Sequence, residues 1–166
     1  TFLATANAFR FEGATILFAD VDQDTGLMTT ETCAAALARA GSRQVRAIIP
    51  VHLGGRCASP GMLAKLAAEH GAILVEDACH ALGTSYRDAT GAMRQVGSCV
   101  DSKMAVFSMH PVKTMTMGEG GVVTTRDPAL AARLALLRNH GMERKPEKFV
   151  NRAMAFDMQG EANPWY

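Results

Sequence analysis

The sequence predicts an α/β fold built on a mainly parallel sheet, and three observations carry that expectation. Apolar runs of strand length recur along the chain, helical stretches with recognisable start and stop residues lie between them, and polar residues stand directly after several runs. Runs that are apolar at consecutive positions suit strands covered on both faces, as a parallel sheet requires. Their alternation with helices points to the same class.

The first apolar run is Thr15 to Phe18. A helix is expected next, capped by Thr30, running through Cys33, Ala34, Ala35, Ala36 and Leu37 to a stop at Gly41. Val45 to Val51 reads as the second strand. Ser59-Pro60 opens another helix, with Leu63, Leu66 and Ala67 on one face and Gly71 as its stop. Ala72 to Val75, Met104 to Phe107 and Gly121 to Thr124 complete the strands. Asp127-Pro128 opens a last helix, with Leu130, Leu134 and Leu137 expected inward and Gly141 closing it.

From Met142 to Tyr166 the texture turns charged, Met-rich and weakly periodic. Residues 1–141 therefore read as the central part of one domain, and 142–166 as a loop region leading out of it. The chain opens on Thr1 and closes on Trp165-Tyr166, two large aromatics of the kind normally packed. It reads as a segment of a longer protein.

Composition narrows the function classes. With 166 residues, 48% hydrophobic and 20% charged, the chain can fill one core and is too apolar for a disordered tail. A net charge of +1 gives no basic footprint for nucleic acid. No run approaches the ~18 apolar residues of a membrane span. Cys33, Cys57, Cys79 and Cys99 are evenly spread, which suits buried thiols in a reducing cytoplasm better than a disulfide frame.

The chemistry-bearing residues cluster where apolar runs end, the place where open α/β sheets bind ligands. His52 follows Ile48 to Val51. Glu76-Asp77-Ala78-Cys79-His80 follows Ile73 to Val75, and Ser108-Met109-His110-Pro111-Val112-Lys113-Thr114 follows Ala105 to Phe107. Gly118-Glu119-Gly120-Gly121 then precedes the last strand. Lys113-Thr114 is no P-loop, because there the glycines precede the Lys, and no Gly-x-Gly-x-x-Gly turn follows an early strand. His52, Asp77, Cys79, His80 and His110 could hold zinc if they met at one sheet edge. Against that, no helix carries ligands four residues apart and no Cys-x-x-Cys occurs.

An Asp after one buried strand and a Lys after a later one also match the needs of pyridoxal phosphate. The cofactor aldehyde condenses with a lysine amine as a Schiff base, and a carboxylate keeps its ring nitrogen protonated. Ser108, five residues before Lys113, could donate to the cofactor phosphate.

Taken in order, Glu76-Asp77-Ala78-Cys79-His80-Ala81-Leu82-Gly83, Phe107-Ser108-Met109-His110-Pro111-Val112-Lys113-Thr114 and Gly118-Glu119-Gly120-Gly121 resemble the DegT/DnrJ/StrS family of nucleotide-sugar aminotransferases. Thr1-Phe2-Leu3-Ala4-Thr5-Ala6-Asn7-Ala8 and Ile49-Pro50-Val51-His52-Leu53-Gly54-Gly55 fit the same family. Cys79-His80 combined with His110-Pro111-Val112-Lys113-Thr114 is most similar to the branch that aminates C4 in pseudaminic acid biosynthesis.

The resemblance implies the three-layer large domain of fold-type I pyridoxal-phosphate enzymes, incomplete here, and no metal. It implies that Lys113 is the Schiff-base lysine and acid–base catalyst, and that Asp77 partners the ring nitrogen. His80, where most of the family has Gln, would bond the phenolic oxygen, Ser108 would bind the phosphate, and Phe2 would stack on the ring. The implied substrate is a 4-keto-6-deoxy nucleotide sugar, UDP-linked, with L-glutamate as amino donor, in a cytoplasmic homodimer. A related branch has His in place of the Lys and removes a hydroxyl, so Lys113 points to transamination. The family's Gly-Thr phosphate segment would lie upstream of Thr1, and its Asn-Tyr-Arg segment and small C-terminal domain beyond Tyr166. The fragment would then hold half a cofactor site. A non-catalytic remnant, another fold-type I enzyme such as a lyase or dehydratase, and a zinc hydrolase are the other readings.

Overall fold

Helix α1 (Leu3–Phe11) starts without a side-chain cap at Phe2 and fully buries none of its residues. Its helicity rests on Ala4, Ala6 and Ala8, the strongest helix former repeated at every second position. The computed structural model describes residues 2–88, 90–143 and 145–164, so the Trp165-Tyr166 pair lies outside the described residues. Those residues fall into two compact units that divide between Arg126 and Asp127.

In the first unit, Thr15 to Phe18 forms no strand, and Leu17 and Phe18 are exposed. The apolar run alone does not make a strand, because a ladder needs a paired edge. Helix α2 (Thr30–Ala40) is capped by Thr29, one residue before the expected cap. The Thr29 hydroxyl accepts from Thr32 N–H at 3.3 Å, and the Thr32 hydroxyl accepts from Thr29 N–H at 3.0 Å. This is a capping box made from two threonines. Cys33, Ala36, Leu37 and Ala40 form its buried stripe, and Gly41, at φ 62°, ends it.

Strand β1 is only Ala47–Ile48, a fraction of the expected 45–51 run. Pro50 has no N–H to give a ladder, and pairing resumes only as a single bridge from Val51 to Asp77. Helix α3 (Pro60–Glu69) opens on Pro60 and buries Leu63 and Ala67. Strand β2 (Ile73–Asp77) follows. A hairpin that the apolar pattern does not announce, β3 (Ser85–Arg87) and β4 (Met93–Gln95), precedes β5 (Met104–Ser108) and β6 (Gly121–Thr124).

The main sheet runs β1-β2-β5-β6, with the first three strands parallel and β6 antiparallel to β5. Register pairs Val75 with Met104, Glu76 with Ala105 and Asp77 with Val106. Because side chains alternate between faces, Leu74 and Glu76 share a face with Ala105 and Phe107. That face carries two apolar clusters. One joins α2 and α3 to the sheet through Cys33, Leu37, Ile48, Leu63, Ala67 and Leu74. The other packs Ala78, Ala81, Tyr86, Val96, Ala105 and Phe107. Gly97 belongs to the second: a Cβ there would meet the Phe107 ring at 2.6 Å, so the residue at 97 must be glycine.

Glu76 is a buried carboxylate on this apolar face, and its partners are fully built. His52, also buried, places Nε2 2.8 Å from Glu76 Oε2. His52 Nδ1 accepts from Ala58 N–H at 3.1 Å, so the ring proton sits on Nε2 and is donated to Glu76. The Ser102 hydroxyl donates to Glu76 Oε1. These bonds tie the 52–58 loop and the start of β5 to β2.

The second unit contains α4 (Pro128–Arg138), capped by the Asp127 carboxylate, which accepts from Ala129 and Leu130 N–H. Leu130 and Leu134 are half-buried, whereas Leu137 is 62% exposed. A short α5 (Arg152–Ala155) follows, with the Phe149 and Phe156 rings 5.7 Å apart and the Arg152 guanidinium over Phe156. No described helix is long and apolar enough to cross a membrane.

The His52–Glu76–Ser102 network predicts a large effect for a small change. Glu76→Leu leaves the buried His52 N–H and the half-buried Ser102 hydroxyl without their acceptor, so urea denaturation should show a loss of about 3 kcal/mol. A loss below about 1 kcal/mol would contradict the network's structural role.

Candidate active site

The carboxyl ends of β2 and β5 lie side by side, and the loops that leave them carry the polar residues. Asp77 ends β2 and Ser108 ends β5. After Ser108 the chain makes a turn at His110-Pro111-Val112-Lys113, closed by Lys113 N–H donating to His110 O at 2.9 Å. Pro at the second position presets such a turn. The neck of the 109–120 loop is pinned by Met109 N–H to Gly120 O at 2.9 Å and Met117 N–H to Met109 O at 3.0 Å. Gly121 lets the loop re-enter β6, since a Cβ there would stand 2.9 Å from Phe107 O. The glycine cluster therefore closes this loop.

Lys113 is half-buried between the exposed Val112 and Thr114. With them it lines a cavity of about 440 Å³ that Gly54, Gly55, Cys79, His80, Leu82 and Thr84 complete. The Gly54-Gly55 wall is held from both sides. The Thr84 hydroxyl donates to Gly55 O at 2.9 Å, and the His52 ring holds the loop through Ala58. The nearby Cys57 thiol is pushed up to about 12 by burial and by the Glu76 charge.

The Asp77 carboxylate is buried and accepts one protein donor on each oxygen. Oδ1 accepts from Cys79 N–H at 3.1 Å, and Oδ2 accepts from the Thr5 hydroxyl of α1 at 2.5 Å. Burial alone would raise its pKa, but bonds from Cys79 and Thr5 and the neighbouring His80 outweigh it, so the value falls below the ordinary 3.8. Asp77 is thus a fixed negative charge at neutral pH. Cys79 takes the opposite course. Burial first, then the Asp77 carboxylate, push its thiol up to about 12, against the opposing charge of Lys113. That thiol stays protonated and is a poor nucleophile beside the lysine.

His80 is exposed and lines the Lys113 cavity. Ser108 is half-buried, and its Oγ accepts from His110 N–H at 3.3 Å, leaving the hydroxyl proton to donate. Phe2 is 73% exposed and lines a different, apolar cavity with Ile16, Leu17 and Phe18. The structure therefore brings Lys113, His80 and Cys79 to one cavity, with Asp77 and Ser108 at the adjoining strand ends, and leaves Phe2 out of that lining. His52 faces Glu76, and His110 pairs loosely with the exposed Glu119 at 3.9 Å. Among the described residues no three His, Cys, Asp or Glu side chains are arranged to hold a metal ion.

Thr5, Gly55 and Thr84 are the residues that sequence reasoning leaves unassigned. Thr5 lies 72 positions from Asp77, and no local pattern announces that contact.

Residues 1–160 match the DegT/DnrJ/EryC1/StrS aminotransferase family. Solved structures agree. DesI, determined in the presence of its TDP-sugar product, is 41% identical with a TM-score of 0.73 over 87% of this chain and 34% of its own. PseC of Helicobacter pylori, an aminotransferase involved in the biosynthesis of pseudoaminic acid, is 32% identical with a TM-score of 0.73 over 87% of this chain and 36% of its own. An aminotransferase from Psychrobacter cryohalolentis is 30% identical with a TM-score of 0.77 over 100% of this chain and 37% of its own. The chain thus spans 34% to 37% of the length of these solved relatives. The match over residues 1–160, on an α/β sheet with polar strand ends, assigns this chain to the DegT/DnrJ/EryC1/StrS aminotransferase family.

Proposed function

We propose that this chain is the central part of the cofactor-binding large domain of a longer, homodimeric aminotransferase. Its substrate would be a 4-keto-6-deoxy sugar on a nucleotide, UDP-linked, with L-glutamate as amino donor. The TDP-sugar product of DesI and the involvement of PseC in pseudoaminic acid biosynthesis support a nucleotide-sugar substrate class. The four free cysteines suit a cytoplasmic setting. Residues 1–141 would belong to that domain and 142–166 would lead out of it.

The family is pyridoxal-phosphate dependent, and the residues present fit that group. The observation that carries this reading is the convergence of a half-buried lysine and an ionised, buried carboxylate on neighbouring strand ends. When bound, the cofactor supplies an aldehyde and an electron-withdrawing ring that weaken a bond at the amino-acid α-carbon. Lys113 would anchor the aldehyde carbon, and its released amine would carry the proton away from the donor α-carbon. Asp77 would hold the proton on the ring nitrogen, His80 would bond the phenolic oxygen, and Ser108 would donate to the phosphate. Phe2, which lines a separate apolar cavity in this structure, would have to turn toward the ring to lie against it. The protonated Cys79 thiol would not compete with Lys113 for the aldehyde.

The test is made on the full-length protein. Lys113→Ala should abolish the visible absorbance of lysine-bound cofactor and reduce transamination of the keto sugar at least about 10³-fold. Retained absorbance would overturn the Lys113 assignment. Product analysis with glutamate and a 4-keto sugar separates the reaction from a lyase, since only transamination yields 2-oxoglutarate and an amino sugar together.

The Asp77 charge has its own pH signature. Its folded pKa lies below 3.8, so the stability it contributes is complete above the unfolded value and is lost as pH falls through the folded one. Asp77→Asn should therefore flatten the acid limb of the stability profile below about pH 4. An unchanged acid limb would contradict the ionised state assigned to Asp77.

A further inference from the structure

Three elements meet at Asp77. Its N–H donates to Pro50 O at 3.0 Å and its carbonyl accepts from His52 N–H at 2.9 Å, which fixes the backbone between β1 and the 52–58 loop. Oδ1 is held by the N–H of Cys79, two residues along the same segment. Oδ2 is held from elsewhere, by the Thr5 hydroxyl on α1. An aspartate side chain rotates easily about its last torsion. One local donor leaves the carboxylate plane free to swing, whereas donors on both oxygens from two directions set it. At 2.5 Å the Thr5 contact has the length of a charge-assisted O–H···O⁻ bond.

We infer that Thr5 is a positioning residue: it acts through Asp77, fixing the plane of the carboxylate that serves the ring nitrogen of pyridoxal phosphate. The inference rests on the assignment of Asp77 given above. With one donor on each oxygen, the carboxylate keeps further lone pairs for the ring N–H, and the neutral hydroxyl adds no competing charge. Thr5 is also one of the groups that lower the proton affinity of Asp77 against its burial, together with Cys79 and the neighbouring His80. Helix α1 thereby has a task that its exposed, uncapped sequence does not suggest. It carries a hydroxyl to the carboxyl end of β2.

The experiment compares Thr5→Val, Thr5→Ser and Asp77→Asn in the full-length protein. Two readouts do not depend on turnover. One is the dissociation constant of pyridoxal phosphate from the apoprotein, measured by fluorescence titration. The other is the titration midpoint of the Asp77 carboxyl carbon in the apoprotein, measured by NMR. Thr5→Val, nearly isosteric but lacking the hydroxyl, should weaken cofactor binding about tenfold and raise the Asp77 midpoint. Thr5→Ser should restore both to within about twofold of the native protein in affinity. A Thr5→Val protein with native affinity and an unmoved midpoint, beside an Asp77→Asn protein that has lost affinity, would overturn the role of Thr5. Native affinity in Asp77→Asn would instead overturn the Asp77 assignment, which is a separate failure.

Discussion

The parallel pairing of β2 with β5 is the constraint on which the rest of this molecule depends. Asp77 stands opposite Val106 and Glu76 opposite Ala105, so two segments nearly thirty residues apart end at one edge of the sheet. Loops leaving adjacent parallel strands at their carboxyl ends face the same space, which is why such edges hold ligands. The antiparallel return of β6 then closes the 109–120 loop at its neck and keeps Lys113 over that edge. Without the β2–β5 ladder, Lys113 and the Gly54-Gly55 wall would share no cavity, and Asp77 would not stand at the strand end beside it.

Two acidic residues next to each other in sequence show how a strand divides its labour. Glu76 and Asp77 point to opposite faces because side chains alternate along β2. Glu76 turns into the apolar face, where His52 and Ser102 satisfy it, and that network secures the loop that walls the cavity. Asp77 turns to the other face, where donors from Thr5 and Cys79 hold it ionised. One carboxylate supports the scaffold, and the other stands ionised at the end of β2. Burial and the Asp77 charge keep the Cys79 thiol protonated, so it does not compete with Lys113 as a thiolate.

Much of this was legible in the residues. Continuous apolar runs located β2, β5 and β6, although only β2 is buried along most of its length, while β5 alternates and β6 is largely exposed. Helix starts at Pro60 and Pro128 and the stop at Gly41 followed from backbone chemistry. Thr15 to Phe18 has the same apolar texture and forms no strand, since periodicity reports burial potential and not the presence of a partner edge. Helix α1 has no cap to announce it, and the β3–β4 hairpin has short strands with little alternation. For the candidate site, the motifs single out Lys113, Asp77, His80, Ser108 and Phe2 as candidates, and of these Lys113 and His80 line one cavity while Phe2 lines another. The contacts that organise them were hidden: Thr5 to Asp77 and Thr84 to Gly55 join distant segments through single hydroxyls, and no local spacing encodes such pairs.

The central claim is that the β2–β5 edge directs cofactor chemistry to one amine. The most direct measurement is borohydride reduction of the full-length protein loaded with pyridoxal phosphate, followed by peptide mapping by mass spectrometry. The account predicts a stoichiometric pyridoxyl group on the peptide carrying Lys113. Labelling at Lys65 or Lys103 instead, or scattered over the surface lysines, would contradict it.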